Sequence, residues 1–260
     1  MRIGIGIRIG NSIIADTFTA EYQAVITRAV ALGYTLPSAS VQTKQNTFLA
    51  ALKTSGVWNK LDVFYCFAQD GSKEFATINW KSPSANQCTL VNSPTWTSNQ
   101  GFTGNGTSSY IDTNYQASGT GNYTLNNASR YAYIRTLIAN RVIDGVDSST
   151  ANSTTTFVSA NQRINQSGGN LSASFDYSTS GAGMKSIHRT SSTSVTCYND
   201  TTASSGLTAT STGLVTSNQC ILRSLSGYGS HQISMYAMGA SMISENSDFV
   251  SAFATYLSSL

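Results

Sequence analysis

The chain has 260 residues, of which 40% are hydrophobic and only 10% charged, and its formal net charge at pH 7 is +3. This length suits one large all-β domain with appended elements or two small domains, and the hydrophobic share is sufficient for a core. Lysine and arginine are scattered, without runs that would follow a phosphate backbone, and no apolar run approaches the roughly 18 residues of a membrane-spanning helix. We therefore expect neither nucleic acid nor a membrane as a partner.

Residues 1–10 alternate isoleucine with glycine and arginine. In an extended strand one face would carry Ile3, Ile5, Ile7 and Ile9, and Arg8 would lie on the other face. Such a strand needs a partner, because glycine weakens it and no local hairpin follows. The partner is either the chain's own sheet or, as we predict, a larger assembly to which residues 1–15 attach as an arm by strand addition. Arg8 and the glycines also interrupt any signal peptide, which favours a protein made and assembled in a cytoplasm.

Residues 16–56 change to a helical period and predict a helical hairpin. Asp16 or Thr17 can cap a first helix that Gly33 ends, and a second helix begins at Ser40 and is stopped by Gly56. The apolar stripes consist of Phe18, Tyr22, Val25, Ile26 and Ala29 in the first helix and Val41, Phe48 and Leu52 in the second. These stripes pack either on the chain's own β-domain, which we favour, or against equivalent hairpins in an oligomer.

From residue 57 to the end, short aromatic and β-branched runs alternate with Gly, Asn, Ser and Pro, which predicts an antiparallel β-sandwich over residues 57–260. Beyond residue 115 the predicted strands are 130–138, 141–146, 154–159, 171–177, 184–189, 194–199, 219–225 and 232–238. Ser244 can cap a terminal helix with Phe249, Phe253, Tyr256, Leu257 and Leu260 on roughly one face. The tryptophans, Trp58, Trp80 and Trp96, are expected in the core.

Residues 58–113 carry a series of short motifs. The first consists of Trp58, Lys60, Leu61, Tyr65 and Phe67, the second of Gly101-Phe102 and Gly104-Asn105-Gly106-Thr107, and the third of Tyr110, Asp112 and Thr113. In this order and spacing they resemble a module of tailed-bacteriophage structural proteins of the head-fibre, tail-fibre or decoration type. Cys66 departs from the proline usual at its position in that module, and the spacing from Trp80 to Pro83 is looser.

This resemblance implies a mainly β fold: an antiparallel jelly-roll sandwich, concanavalin-like or laminin-G-like, with an N-terminal arm, a helical hairpin and a C-terminal helix. It implies a virion location, reached by assembly in the host cytoplasm, and partners among the capsid, collar or tail proteins. We also expect a homo-oligomer, a trimer by analogy with other such appendages.

Catalytic motifs are missing from the sequence. A jelly-roll glycosidase needs paired carboxylates, whereas acidic residues are sparse here and Asp144, Asp147 and Glu74 read as turn or surface residues. No G-x-S-x-G elbow or phosphate loop occurs, and His188 reads as a strand surface residue. We therefore expect no catalytic site and no cofactor, with a polysaccharide depolymerase as the least favoured alternative.

Metal ligation is also disfavoured. Cys66, Cys88, Cys197 and Cys220 form no C-x-x-C pair, which argues against structural zinc and predicts buried free thiols, with a disulfide between neighbouring strands left open. Asp112 reads as a turn or strand-end acceptor. A calcium site at Asp112 and Asp70 is the alternative, but no clustered ligand set accompanies them.

One loop offers binding chemistry. Carbohydrate recognition combines an exposed aromatic ring with amide and hydroxyl partners, and residues 225–232 supply both around Tyr228 and His231. These two residues are the predicted glycan-binding candidates, with a host surface glycan as ligand. The alternative for both is ordinary loop packing.

Overall fold

A computed structural model describes residues 18–117, 121–146, 153–157, 162–166, 175–177, 181–225 and 227–260. The helices are α1 (Ala20–Ala31), α2 (Ala39–Thr54), a short α3 (Val57–Lys60) and α4 (Asn246–Ser259). The strands are β1 (Leu61–Cys66), β2 (Thr89–Val91), β3 (Thr95–Thr97), β4 (Gly101–Thr103), β5 (Tyr110–Asp112), β6 (Ala128–Thr136), β7 (Val142–Val146), β8 (Ser153–Phe157), β9 (Arg163–Gln166), β10 (Gly183–Arg189), β11 (Ser194–Asn199), β12 (Thr202–Ala203), β13 (Leu207–Thr208), β14 (Gln219–Ile221), β15 (Arg223–Ser224), β16 (Gly227–Tyr228) and β17 (Gln232–Gly239).

The predicted attachment arm falls outside this described part of the chain. Residues 1–15 include its proposed contacts, Ile3, Ile5, Ile7, Arg8 and Ile9, so the arm stays a prediction. Among the helices that are described, none combines the length and apolar character that a bilayer crossing requires.

The strands form two antiparallel sheets that pack face to face. The larger sheet has the order β12-β11-β10-β6-β17-β4-β3, with β1 also paired to β17 and β13 to β11. The smaller sheet has the order β2-β5-β14-β7-β8-β9, and β15 and β16 form a separate hairpin. The predicted mainly β, antiparallel sandwich is confirmed, as is the C-terminal helix that follows its last strand.

The core between the sheets is built from alternate residues of each strand, because successive side chains of a strand point to opposite faces. The larger sheet contributes Val63, Tyr65, Ala132, Ile134, Ile187, Tyr236 and Met238, and the smaller sheet contributes Ile111, Ile143 and Ile221. Tyr236 is fully buried at the centre of β17, where it lies opposite Tyr65 of β1 and Ala132 of β6. The central strand therefore links both neighbouring strands to one core.

The helices cover the outer face of the larger sheet. The side chains that point to this face pack with α1, α2 and α4, and they belong to Phe64, Cys66, Tyr131, Met184, Met235 and Ala237. Phe48 of α2 stacks on Tyr256 of α4, with ring centroids 5.5 Å apart. The helical hairpin therefore packs on the chain's own β-domain, which is the one of the two alternatives that we favoured. The larger sheet is buried on both faces as a result.

Helix starts differ from the predicted positions because the capping residues differ. Thr19, and not Asp16 or Thr17, caps α1: its hydroxyl accepts from the Tyr22 N–H, and its own N–H donates to Asn46 Oδ1 at 2.8 Å. Ser38, and not Ser40, caps α2. Glu245 occupies the N-cap of α4 in place of Ser244, without a side-chain cap, since its carboxylate binds Lys60 Nζ at 2.7 Å.

Strand boundaries agree with the predictions within a few residues, and β11 has the predicted bounds. β9 (Arg163–Gln166) was not predicted, and most of the predicted strand 171–177 lies outside the described residues. The predicted run 219–225 divides into β14 and β15. It divides at Leu222, whose φ of +66° breaks the extended backbone.

The tryptophans and cysteines lie largely as predicted. Trp58 and Trp80 are buried, whereas Trp96 is only half-buried and donates its indole N–H to the Phe67 carbonyl at 3.0 Å. Cys66, Cys88, Cys197 and Cys220 are all buried and free, which confirms the prediction of free thiols. Burial raises the pKa of the Cys66 and Cys197 thiols to about 12, so neither is a ready nucleophile at neutral pH.

Candidate functional site

Asp144 was predicted to be a turn or surface residue, and this prediction is wrong. It lies on β7 with its side chain turned between the two sheets, and it is only 2% exposed. Its Oδ2 atom accepts from Arg130 of β6 at 2.5 Å, from Tyr236 of β17 at 2.6 Å and from Gln219 of β14 at 3.1 Å. The carboxylate therefore joins the two sheets across the core. Asp147, the second acid of the same segment, lies outside the described residues.

The ion pair of Asp144 and Arg130 keeps the buried arginine charged. Burial alone would lower the pKa of the Arg130 guanidinium, but the adjacent Asp144 carboxylate raises that pKa overall and keeps the arginine charged. Arg130 also donates to the Arg163 carbonyl of β9 at 2.7 Å. The Asp144 carboxylate is held by these partners and does not face open solvent, so we assign it a structural role in joining the two sheets.

His188 was expected at a strand surface but is fully buried on the outer face of β10. It lies edge-on to Tyr131 and Tyr198, with ring centroids 5.1 and 5.3 Å away. Its Nε2 atom is 3.0 Å from the Ser186 hydroxyl. Burial, with a smaller contribution from the Lys60 charge, lowers the pKa of His188 to about 3. The prediction failed because the helical layer covers this face of the sheet.

His231, one of the two predicted glycan-binding residues, is also fully buried. Its Nδ1 atom accepts from the Ile138 N–H at 3.1 Å, which ties the start of β17 to the segment after β6. Burial lowers the pKa of His231 to about 4, so the ring is neutral at pH 7. In this position the side chain packs inside the loop and is not available to a ligand from solution.

The two buried histidines make stability depend on pH. Each has a folded-state pKa below the value of about 6.5 expected when unfolded, so the unfolded chain binds more protons between about pH 6.5 and 4. Stability is therefore greatest above pH 6.5 and falls as the pH falls through this window. We expect a loss of about 2 kcal/mol per histidine between pH 7 and pH 5, measured by urea unfolding at each pH. His188→Gln should remove about half of this slope, and an unchanged slope would contradict the assignment.

The two aspartates of the alternative calcium site, Asp112 and Asp70, accept hydrogen bonds from backbone N–H groups. Asp112 Oδ1 accepts from the Asn114 N–H at 2.8 Å, as predicted for a turn acceptor, and Asp70 Oδ1 accepts from the Ser38 N–H at 2.9 Å. Within the described residues, no group of three or more His, Cys, Asp and Glu side chains is arranged to hold a metal ion.

Tyr228, the other predicted glycan-binding residue, belongs to a half-buried cluster on the rim of the smaller sheet. The Arg223 guanidinium carbon lies 4.4 Å from the Tyr110 ring centroid and 5.5 Å from that of Tyr228, and the two rings are 6.3 Å apart. We call Tyr110, Arg223 and Tyr228 the tyrosine–arginine cluster. An arginine over two aromatic rings is held by cation–π attraction, which fixes the orientation of its planar guanidinium.

The backbone around Leu222 positions this cluster. Leu222 has a φ of +66°, its N–H donates to the Ile143 carbonyl at 2.7 Å, and its carbonyl accepts from the Gly229 N–H at 2.8 Å. The chain therefore leaves β14 and enters the β15–β16 hairpin, in which Arg223 lies directly opposite Tyr228. Leu225 between these strands is 55% exposed. A left-handed conformation at a leucine costs free energy, and such strain is concentrated at functional positions.

A tight turn forms the edge beside the cluster. Asn105 Oδ1 accepts from the N–H groups of Thr107, Ser108 and Ser109 at 2.8–2.9 Å, and the Gly106 N–H donates to the Gly229 carbonyl at 3.2 Å. Gly104 is required for close approach, since a Cβ there would lie 2.2 Å from the Gly229 carbonyl oxygen. These contacts hold the turn against Gly229, next to the end of the β15–β16 hairpin.

Sequence reasoning identified Tyr228 but missed Arg223 and Tyr110. Tyr110 was treated only as a strand residue, and Arg223 was placed inside one continuous strand. The available signal was the segment Arg223-Ser-Leu-Ser-Gly227-Tyr228. Serine and glycine within so short a segment are typical of a tight hairpin, and a hairpin places the first and last residues of the segment opposite each other.

The fold and the cluster together define an antiparallel β-sandwich with a helical cover and an aromatic-cationic rim. No family model and no curated protein matches the sequence. Among solved structures, the chain is similar to a Trypanosoma rangeli sialidase mutant with trans-sialidase activity, at 10% identity and a TM-score of 0.46 over 82% of this chain and 39% of the sialidase.

Two further structures show similarity of the same order. One is domain 4 of AbnA, an extracellular arabinanase from Geobacillus stearothermophilus solved with arabinotriose, at 11% identity and a TM-score of 0.46 over 74% of this chain and 98% of the domain. The other is the HCR/D W1238A mutant, at 9% identity and a TM-score of 0.47 over 76% of this chain and 53% of that one. The chain spans about two fifths of the sialidase's length, and likeness at these levels transfers no activity or ligand.

Proposed function

We propose that the protein is a non-enzymatic structural protein of a tailed-bacteriophage particle, anchored by its N-terminal region and displaying its β-sandwich outwards as a homo-oligomer. The sequence resemblance of residues 58–113 motivates the virion location and the partners among capsid, collar or tail proteins. What supports the display role is the arrangement of the two ends of the molecule. Phe18, the first described residue, packs in the helical layer, whereas Tyr110 of the tyrosine–arginine cluster lies on the smaller sheet, across the larger sheet from that layer.

The burial of the polar residues supports a passive role. Asp144 is ion-paired inside the core, and His188 and His231 are buried with pKa values lowered to about 3 and 4. A general base needs contact with its substrate, and all three residues are enclosed in the fold. The two histidines also have pKa values well below neutral pH. As a depolymerase test, the purified protein should release no reducing sugar from host capsule.

The experiment on attachment removes residues 1–10 and asks whether assembled particles still carry the protein. We expect the truncated chain to fold, with an unchanged circular dichroism spectrum, and to be lost from purified particles. The matched control permutes residues 3–9 so that the isoleucines no longer share one strand face while composition stays the same. Particles that carry the truncated or permuted chain at normal copy number would contradict anchoring by this arm, and cryo-electron microscopy of the intact particle would locate the protein directly.

A second candidate function is recognition of a host surface glycan by the sandwich. The observation that favours it is the tyrosine–arginine cluster, because half-buried tyrosine rings beside amide and hydroxyl groups are the usual elements of a sugar site. This function is compatible with the first, since a displayed domain is in a position to meet the cell surface. A glycan array probed with the whole protein tests it.

A further inference from the structure

A groove between α2 and α4 runs across the outer face of the helical layer. At one end it deepens to a cavity of about 270 Å³, whose base is formed by Phe48 and Tyr256, each only 3% exposed. The sides of this cavity include Thr43, Lys44, Thr47, Thr255 and Ser259. A shallower depression continues towards Asp248, and Ala51 and Ala252 border both parts. The two parts therefore form one surface, which we call the α2–α4 groove.

Most polar groups along the deep end of the groove are hydrogen-bonded within the protein. The hydroxyls of Thr43 and Thr47 donate to carbonyls of the preceding turn of α2 at 3.1 and 3.0 Å. Lys44 Nζ donates to the Ser259 carbonyl, and the Tyr256 hydroxyl donates to a backbone carbonyl beneath the helices at 2.6 Å. The groove therefore offers carbon surface more than hydrogen-bonding groups, which suits an apolar occupant.

The described part of the chain begins beside this groove. Phe18 packs in the helical layer, and the Thr19 N–H donates to Asn46 Oδ1 of α2 at 2.8 Å. Asn46 and Thr43 are three residues apart and so are neighbours on the helix surface, and Thr43 lines the groove. Residues 10–17 can span up to about 26 Å when extended. Residues 1–9 can therefore reach the groove of their own chain.

The isoleucine pattern of residues 3–9 matches the groove in length and in chemistry. In an extended strand Ile3 and Ile9 are about 20 Å apart, and the groove from Thr43 to Ser55 of α2 is about 18 Å long. The four isoleucines share one face, which would meet the groove, while Arg8 would point to water. An uncovered apolar strand invites pairing with other chains, so the free protein gains solubility when the groove covers this face.

Charge favours one direction of the arm in the groove. Because the chain approaches from Thr43, Ile9 would enter first and Ile3 would lie at the far end, beside Asp248. Asp248 is exposed, and none of the ion pairs among the described residues includes it. Residues 1–15 contain two arginines and no acid. In this direction Arg2 comes next to the Asp248 carboxylate.

We propose that residues 1–9 lie in the α2–α4 groove of their own chain in the free protein, with the isoleucines on its base and Arg2 beside Asp248. The covalent connection gives the arm a high effective concentration at its own groove, which favours this groove over that of a second copy. The arm leaves the groove when the chain joins its assembly. Release rests on the proposed attachment function, whereas docking in the free protein does not.

The test of docking is a disulfide between the arm and the middle of the groove. The native cysteines are all buried and free, so an added pair reports without interference. Ile5→Cys combined with Ala51→Cys should form an intrachain disulfide under mild oxidation, since docking brings the two residues within disulfide distance. Intact mass spectrometry and non-reducing electrophoresis would show an oxidised monomer.

Two matched controls accompany this variant. Lys73→Cys replaces Ala51→Cys as a partner for Ile5→Cys, because Lys73 is an exposed side chain in the segment after β1 and does not line the groove. The second control keeps both cysteines of the test pair and permutes the other residues of 3–9, so that the isoleucines no longer share one face. Neither control should form the intrachain disulfide to a comparable extent.

A second measurement uses the Ala51→Cys variant alone and follows its reaction with a thiol reagent. Labelling should be about 10-fold or more slower in the full chain than after deletion of residues 1–10, because the arm must first leave the groove. Asp248→Asn should reduce this protection about 2- to 5-fold, as expected for loss of an exposed ion pair. Unchanged circular dichroism spectra confirm that each variant is folded.

The outcomes separate docking from attachment. Disulfide-linked dimers in place of oxidised monomers would overturn docking on the own chain in favour of exchange between copies. Equal labelling with and without residues 1–10, together with no disulfide, would overturn docking even if particles still lose the truncated chain. An intrachain disulfide would support docking even if particles retain the truncated chain, which would overturn attachment alone.

The release step has its own readout on particles that lack the protein. The oxidised double variant, whose arm is held in the groove, should bind these particles about 10-fold or more weakly than the same variant after reduction, because a covalently held arm is not available to the assembly. Equal binding of the two forms would overturn release of the arm.

Discussion

Replacing Arg130 with methionine should lower the free energy of unfolding by about 3–5 kcal/mol. Arg130 and Asp144 are both about 2% exposed, and they form an ion pair of 2.5 Å between the two sheets. The substitution keeps much of the volume of the side chain but leaves the Asp144 carboxylate without its positive partner in the core. Urea unfolding followed by tryptophan fluorescence would measure the change, since Trp58 and Trp80 are buried in the folded state.

The double variant Arg130→Met with Asp144→Leu distinguishes a lost charge partner from lost packing. Removing both charges should cost less than the single change, about 1–3 kcal/mol, because no unpaired charge is then left in the core. What is lost are hydrogen bonds, namely those of Tyr236 and Gln219 to the carboxylate and that of Arg130 to the Arg163 carbonyl. Lys53→Met is the control for an ion pair at the surface, where Lys53 and Glu21 are 41% and 31% exposed, and should cost less than about 1 kcal/mol. A single variant as stable as this control would show that the buried pair does not hold the sheets together.

This ion pair also shows what a sequence does not reveal. Asp144 stands in Asp-Gly-Val-Asp, a local pattern typical of a turn, and its charged partner is not the nearby Arg141 but Arg130, 14 residues earlier in the chain. Its partners come from β6, β14 and β17, and they meet only when the sheets stack. His188 was misjudged for a related reason, since its flanking Lys185 and Arg189 suggested a surface, whereas both of these side chains are themselves buried. Local polarity therefore predicted exposure where tertiary packing produced burial.

Features encoded by local pattern were predicted well. The extents of β11 and β17, the apolar stripe of Phe249, Phe253 and Tyr256 in α4, and the burial of the cysteines all follow from periodicity or residue type. The rim cluster was found only in part. Tyr228 was identified from its loop, but Arg223 faces it through a hairpin register that depends on the left-handed Leu222, and a positive φ at leucine is rare enough that no pattern predicts it.

Replacing Gly239 with alanine should destabilise the protein by about 3 kcal/mol or more. Gly239 ends β17, where it lies opposite both Leu61 of β1 and Ser129 of β6. A Cβ at this position would lie 2.0 Å from the Lys60 carbonyl oxygen and 2.8 Å from Leu61 Cα. Both are backbone atoms, so no side-chain rotation relieves the clash, and the strands that carry the core must separate. Calorimetric melting and urea unfolding would both report the loss.

Gly206→Ala is the matched control, because it isolates backbone conformation from close approach. Gly206 has a φ of +58°, and no atom lies within 4 Å of the place that a Cβ would take, so alanine there meets only the intrinsic cost of a left-handed residue, about 1–2 kcal/mol. Gly239 is outside the left-handed region, and its cost is steric alone. If the two variants were equally stable, the close approach of Gly239 to Lys60 and Leu61 would not be the reason for glycine at the end of β17. A larger loss of stability at Gly239 would instead show that this contact couples the helical layer to the sandwich. Ala240, the next residue, donates its N–H to the same Lys60 carbonyl at 2.9 Å, and the Lys60 side chain binds Glu245 at the start of α4.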